Sequence, residues 1–387
     1  MFKRLLRKTP IAWLQLKKEK IRLAVAIAGI AFADILMFFQ LGMLDALFDG
    51  SAKSHKMLQG DLVLVNSQFQ TLFMLKQFPR ERLFQTLAYD QVESVLPIYL
   101  GFAQWRNPET QLNRSILVWG IDPVNPPFPL TEIRSNNSKL NLLNRVLFDK
   151  DSRPEYGPIV DLFQQQNKVE IQLNYKNVEV IDLFSIGASF VADGNVITSH
   201  STFLNLFPEH QSEQISLGLI KLKSGANIQQ IQKQLSANLP NDVRVVTPSQ
   251  LAENEIRYWS SQGIGFIFSL GVIVGFIVGI VIVYQILYSD VSEHLPEYAT
   301  LKAMGYSDRY LLGVLMQAAL LLAILGYIPG FFLSVGLYQI GYSATQLPIM
   351  MKVSRAILVL ILTIIMCAVS GAIAMNKLRS ADPADIF

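Results

Sequence analysis

The sequence predicts an integral membrane protein of α-helical type, four transmembrane helices with a large α+β extracytoplasmic domain between helices 1 and 2. Of its 387 residues, 51% are hydrophobic and only 16% charged, with mean hydropathy +0.32. Soluble domains carry roughly 25% charged residues. The charge deficit is confined to four apolar blocks. Each has the ~20 residues that a helix rising 1.5 Å per residue needs to cross a hydrocarbon core of roughly 30 Å. The rest of the chain reads as ordinary globular sequence.

Composition narrows the function. A net charge of +3 argues against nucleic acid as a partner. The one cysteine, Cys367, lies inside an apolar block, so the long middle region folds without disulfides. Its about 215 residues are ample for an apolar core. His55, His200, His210 and His294 have no metal-ligand spacing, and no metal or cofactor is expected in this chain.

In chain order, 1–20 is a cytoplasmic amphipathic basic segment. Lys3, Arg4, Arg7, Lys8, Lys17, Lys18 and Lys20 mix with Leu5, Leu6, Ile11, Trp13, Leu14 and Leu16. That mixture suits a helix lying on membrane lipid, and the positive charge places both termini in the cytoplasm after four crossings. Helix 1 spans 21–44. Its apolar run exceeds the 7–15 residues typical of a cleaved signal, which favours an uncleaved anchor. It holds Asp34, at a cost of about 2.5–3.5 kcal/mol on insertion scales, so that side chain is expected to face a neighbouring helix or a polar cavity. Two readings stand: a coupling or gating residue, or a structural hydrogen bond between helices.

The extracytoplasmic domain covers 45–262. Strand–helix–strand patterns near 61–106 and 215–246 suggest two related halves on one sheet, with an inserted lobe at about 107–212. The triplet Asn136-Asn137-Ser138 matches a glycosylation acceptor and receives no role. Glu253 and Glu255 read as a solvated helix face before the next span. Phosphate-loop, zinc-protease and nucleophile-elbow motifs are all missing, which argues against an enzyme.

Helix 2 is 263–288, where Gly271, Gly275 and Gly279 form one face for close helix approach. Gly326 and Gly330 repeat the spacing in helix 3, 310–335, and Pro329 should loosen that helix. A short external loop, 336–355, leads to helix 4, 356–376, and a cytoplasmic tail, 377–387. The segment 289–309 contains a short helix that Pro296 can open and Gly305 can stop. Tied between two spans at the inner surface, it suits contact with a separate protein.

The run Glu297-Tyr298-Ala299-Thr300-Leu301-Lys302-Ala303-Met304-Gly305 resembles the E-I-(G/A)-x-L-(R/K)-A-(L/M)-G signature of FtsX-like permeases, the family that includes the MacB macrolide exporter, with Tyr298 where isoleucine is usual. Lys377 to Ala384 is similar to that family's basic-plus-proline ending, and Trp119-Gly120-Ile121-Asp122-Pro123 to a strand of its external domain. The segments Leu147-Phe148-Asp149 and Ser152 to Pro158 look like the DevC permeases of cyanobacteria.

The resemblance implies a permease of the bacterial inner membrane, paired as a homodimer and driven by a separate cytoplasmic ABC ATPase dimer that binds ATP and Mg. The ATPase contact would fall on Pro296, Glu297, Tyr298, Leu301, Lys302, Met304 and Gly305. Its motion would pass through the spans to the periplasmic domain. The family further implies a periplasmic membrane-fusion protein, an outer-membrane channel and an amphiphilic substrate such as a glycolipid. The alternatives are an FtsX-like signalling scaffold and a lipoprotein-releasing subunit.

Overall fold

Alternate residues of the strand β1 (Leu62–Asn66) point into two different cores. Leu62 and Leu64 join one, Val63 and Val65 the other. The same alternation recurs in β3 (Val92–Arg106) and β4 (Asn113–Ile121), where Ile116 and Val118 face one core and Leu117 and Trp119 the other. A sheet buried on both faces needs continuous apolar runs rather than a polar–apolar alternation, and that is how these strands are written.

The computed structural model describes residues 20–380, with the side chains of 298–299, 302–303, 308 and 376–380 outside the description. The expected amphipathic segment, up to residue 19, and the end of the tail from residue 381 fall outside the described residues. The chain divides into two compact units. One is Ala46–Ile264 with Gly341–Pro348; the other holds the described residues up to Asp45, Gly265–Ile340 and those from Ile349 to residue 380.

The first unit is α+β, built on a nine-stranded sheet of order β11-β1-β10-β3-β4-β8-β5-β7-β6. Here β5 is Arg145–Asp149, β6 Val169–Leu173, β7 Lys176–Phe184, β8 Asn195–Ser199, β10 Leu217–Leu222 and β11 Val243–Val246, while β2 (Phe78–Pro79) and β9 (Gln214–Ile215) form a separate two-stranded pair. Two strand–helix–strand units interlock. β10 lies between β1 and β3, β1 lies between β11 and β10, and each of these neighbours is antiparallel. This is the split β-α-β arrangement. Residues 107–212, inserted in sequence between these two units, add their strands to the same sheet. The 15 residues of β3 pair with β10 at one end and with β4 and β6 at the other, so the same sheet continues through them. Pro97 does not break β3; it pairs with Gly218.

Helices cover both faces. Leu83, Phe203, Ile231 and Leu235 fill one core, and Ile133, Leu140 and Leu251 the other. Gly101 and Gly120 let Phe207 and Phe203 lie against the sheet, since a Cβ at either would come within 2.8 Å of those rings.

The second unit is helical. Among the described residues, four helices are long and apolar enough to cross a membrane: Lys20–Lys56, Ile264–Glu293, Arg309–Thr345 and Val353–Met375. Two outrun the expected spans. The first does not end near Leu44, because Ala46, Leu47, Ser51, Ala52 and His55 carry its buried stripe onward to Lys56. The third helix, Asp308–Thr345, contains Pro329 and leaves only 346–352 as loop before Val353. Its N-terminal half packs Leu311, Leu315, Leu322 and Ala323 into the helical core, alongside Ala26, Ile30 and Ala33 of the first helix.

Candidate functional site

The short helix Leu295–Ala303 follows Ile264–Glu293 almost directly. Pro296 occupies its second position, where a missing N–H costs nothing. Gly305 stops it at φ +89°; the Tyr306 N–H reaches back to the Leu301 carbonyl at 3.1 Å and the Met304 N–H to Thr300 at 3.0 Å. The carbonyl of Ser307 then accepts from the Tyr310 N–H at 2.9 Å, opening the next long helix. The element is therefore a rigid corner.

The expected contact residues do not share one surface. Leu295 and Leu301 pack against the helical core. Pro296, Glu297, Gly305 and Tyr306 are exposed, and Met304 is 64% exposed. The side chains of Tyr298 and Lys302 lie outside those described. The outward surface is thus Pro296, Glu297, Met304 and Gly305, with Tyr306 added. A flexible, polarisable methionine suits adaptable docking. At the end of the preceding helix, Glu293 pairs with Arg22, and Asp290 lies 3.7 Å from His294.

Glycines set the spacing between the long helices. Gly271 and Gly275 face the first helix, against Gln40 and against Leu36 with Met37, while Gly279 lies against Met366 of the fourth helix as well as Ala33 of the first. Gly326 and Gly330 receive Ile30 and Ala31 on another side of that same helix, and a Cβ at Gly330 would stand 3.2 Å from the Ala31 Cα. Asp34 is fully buried beside Gly330 and accepts a hydrogen bond from Thr363 Oγ1 at 2.6 Å. It therefore links the first helix to the fourth. Further along, Arg355, 4% exposed, donates through Nε and Nη2 to Asp45 Oδ2, the latter at 2.5 Å, and lies over the Tyr338 ring at 5.3 Å.

A site that sequence reading missed lies in the α+β unit. Glu255 is not on a solvated face; it is fully buried. Its Oε1 accepts from Thr71 Oγ1 and from Trp259 Nε1 at 3.0 Å, and its Oε2 from the Leu72 N–H at 3.0 Å and His55 Nε2 at 3.2 Å. Against a carboxylate, which only accepts, His55 Nε2 carries the proton. Burying a lone carboxylate is costly, and four donors offset that cost. The clasp joins the end of Lys20–Lys56, the loop at 71–72 and the helix Pro248–Ser261. The signal was present: Leu251, Ala252, Glu255 and Trp259 recur at helical spacing, which puts Glu255 on the apolar stripe. A capping box of Thr247 and Gln250, with Pro248 at the first turn, starts that helix. It ends at Ser261, and Gly263, at φ +80°, separates it from Ile264–Glu293.

A second buried carboxylate, Asp149, holds the loop after β7. It accepts from Asn195 Nδ2 at 2.9 Å and from the N–H groups of Gly187 at 2.7 Å, Ile186 at 3.1 Å and Asp151 at 3.2 Å. Burial nonetheless pushes its pKa up to about 6.

Residues 265–383 match the family model described as FtsX-like permease C-terminal. That match takes in the short helix Leu295–Ala303 and the three long helices around it. No curated protein matches the chain. Among solved structures, the chain is similar to the periplasmic region of MacB from Actinobacillus actinomycetemcomitans, with TM-score 0.36, 12% identity, and coverage of 51% of this chain and 94% of that one. It is also similar to the extracellular domain of the noncanonic ABC-type transporter YknZ from Gram-positive bacteria, with TM-score 0.33, 14% identity, and coverage of 49% and 99%. Among the described residues, no group of three or more His, Cys, Asp or Glu is placed to hold a metal ion.

Proposed function

We propose that this chain is the permease subunit of an ATP-driven exporter of the FtsX and MacB type, worked by a separate ABC ATPase. The observation that carries this reading is the rigid corner at Leu295–Gly305. It sits within the segment matching the permease model, packs Leu295 and Leu301 inward, and presents Glu297, Met304 and Gly305 outward. A partner pushing on Met304 acts on two long helices at once, because helical turns and a Gly305 stop leave little slack between them.

In this reading, both termini lie in the cytoplasm, the ATPase dimer binds ATP and Mg, and the α+β unit is periplasmic. Two copies pair in the inner membrane. A membrane-fusion protein and an outer-membrane channel receive an amphiphile, for which a glycolipid is the candidate class. The glycine contacts and the Asp34–Thr363 bond keep the helices moving as one body. The Glu255 clasp passes that movement to the sheet.

Isolation of the full chain from its native membranes, followed by identification of everything bound, tests the proposal. An ABC ATPase together with a membrane-fusion protein supports it. A cell-wall hydrolase in place of the fusion protein turns the reading to a signalling scaffold, and a periplasmic lipoprotein carrier turns it to lipoprotein release. No ATPase under any nucleotide condition overturns it.

A further inference from the structure

The loop that begins at the Glu255 clasp carries an apolar tip whose partner nothing so far explains. Thr71 and Leu72 are buried and bonded to Glu255. The next two residues turn outward, Phe73 being 60% and Met74 49% exposed. They are not loose. The Met74 N–H bonds the Thr71 carbonyl at 3.1 Å, the Phe73 ring stands edge-on to Phe102 at 6.1 Å, and Met74 Sδ lies 3.5 Å from the Tyr258 hydroxyl. Holding two large apolar side chains rigidly in water is unfavourable unless something covers them.

Three observations favour a lipid surface as that cover. Tyr258 and Trp259 stand only a few residues ahead of Ile264–Glu293, the most apolar of the long helices, and such aromatics gather at membrane–water boundaries. Met74 touches Tyr258, so the tip and that aromatic share one surface of the α+β unit. Lys76, two positions past the tip, and Arg257, beside Tyr258, are both exposed and complement anionic headgroups.

We propose that Phe73 and Met74 dip into the bilayer surface and seat the α+β unit on lipid. The inference rests on Ile264–Glu293 crossing a membrane, which is part of the function proposed above.

The test uses the full chain with Cys367→Ala, reconstituted in nanodiscs of phosphatidylcholine and phosphatidylglycerol, with an environment-sensitive fluorophore at Met74→Cys. Phe73→Cys serves if the first variant fails to fold. Controls are Tyr175→Cys, exposed on the α+β unit, and Ile273→Cys, exposed on the long apolar helix. The expected result is blue-shifted emission at position 74, quenched severalfold more by doxyl-labelled lipid than by iodide, with the reverse at 175. Iodide quenching at 74 equal to that at 175 overturns the proposal. Protection from both quenchers also overturns it, because a protein then covers the tip. Lipid quenching at 273 but not at 74 sinks the loop alone; its absence at 273 sinks the membrane-spanning reading and the proposal with it.

Discussion

His55 and Glu255, 200 positions apart, meet at 3.2 Å with both side chains fully buried. One belongs to the long helix that begins at Lys20, the other to the helix that ends just before Gly263. The two segments that lead into and out of the α+β unit are therefore fastened to each other and to the loop at Thr71.

Glu255→Gln is isosteric but turns an amide NH2 toward groups that are themselves donors. Each buried donor left unsatisfied costs about 1–3 kcal/mol. Backbone amides of 46–56 and 248–261 are expected to exchange with deuterium at least about tenfold faster, since 1.4 kcal/mol is a factor of ten. Unchanged exchange in these two segments would show that the clasp holds nothing.

Much of this was legible in sequence, and the exceptions share a cause. The long helices show because apolar runs of that length have one physical solution in a bilayer. β1, β4 and β10 show as apolar runs bounded by turns. β5 and β8 stayed hidden because their apolar cores, Val146–Phe148 and Val196–Ile197, are too short to stand out among Asn, Ser and Pro. The interlocking of the two strand–helix–strand units depends on pairings such as Leu62 with Ile220, which no local pattern encodes. Glu255 was misread because a carboxylate near a span invites a solvated reading. Its place on the stripe of Leu251 and Ala252 was the better guide. In the short helix, the family signature groups Leu301 with Met304, whereas packing turns Leu301 toward the helical core.

That division makes the short helix a two-sided test. Met304→Glu leaves thermal stability within about 0.5 kcal/mol, as exposed substitutions do, yet lowers recovery of the bound ATPase. Leu301→Ala costs about 1–3 kcal/mol through lost packing. Equal effects of the two variants on melting and on ATPase recovery would contradict this assignment of faces.

Helix spacing predicts a graded response to alanine. A Cβ at Gly326 would come within 2.5 Å of the Ile30 side chain, and one at Gly330 within 2.9 Å of the Asp34 Cβ. Both substitutions are expected to cost about 1–3 kcal/mol by overpacking. A Cβ at Gly275 finds its nearest neighbours at 3.4 Å, and one at Gly336 finds nothing within 4 Å. Those two are tolerated, and Gly336→Ala gains up to about 1 kcal/mol from helix propensity. Melting of the purified variants in one detergent ranks them.

Asp149 sets a pH dependence. Its pKa is raised by burial from 3.8 to about 6 in the folded chain. The folded state then holds a proton that the unfolded state has released, so stability from this group falls as pH rises from about 4 to about 6 and is flat above. The fall is on the order of 3 kcal/mol, at 1.36 kcal/mol per pKa unit. Asp149→Asn removes the slope and places an NH2 against backbone donors. Denaturation of both forms at pH 4, 5, 6 and 7 gives the difference, and parallel curves would exclude Asp149 as its source.

The central claim is that an ATPase grips the corner at Leu295–Gly305. A photo-crosslinking amino acid in place of Met304, activated in native membranes, tests it most directly. The account predicts an adduct with an ABC ATPase whose yield changes between ATP-bound and nucleotide-free states. Adducts confined to lipid, or none, with the same group at exposed Tyr306 equally silent, would contradict it.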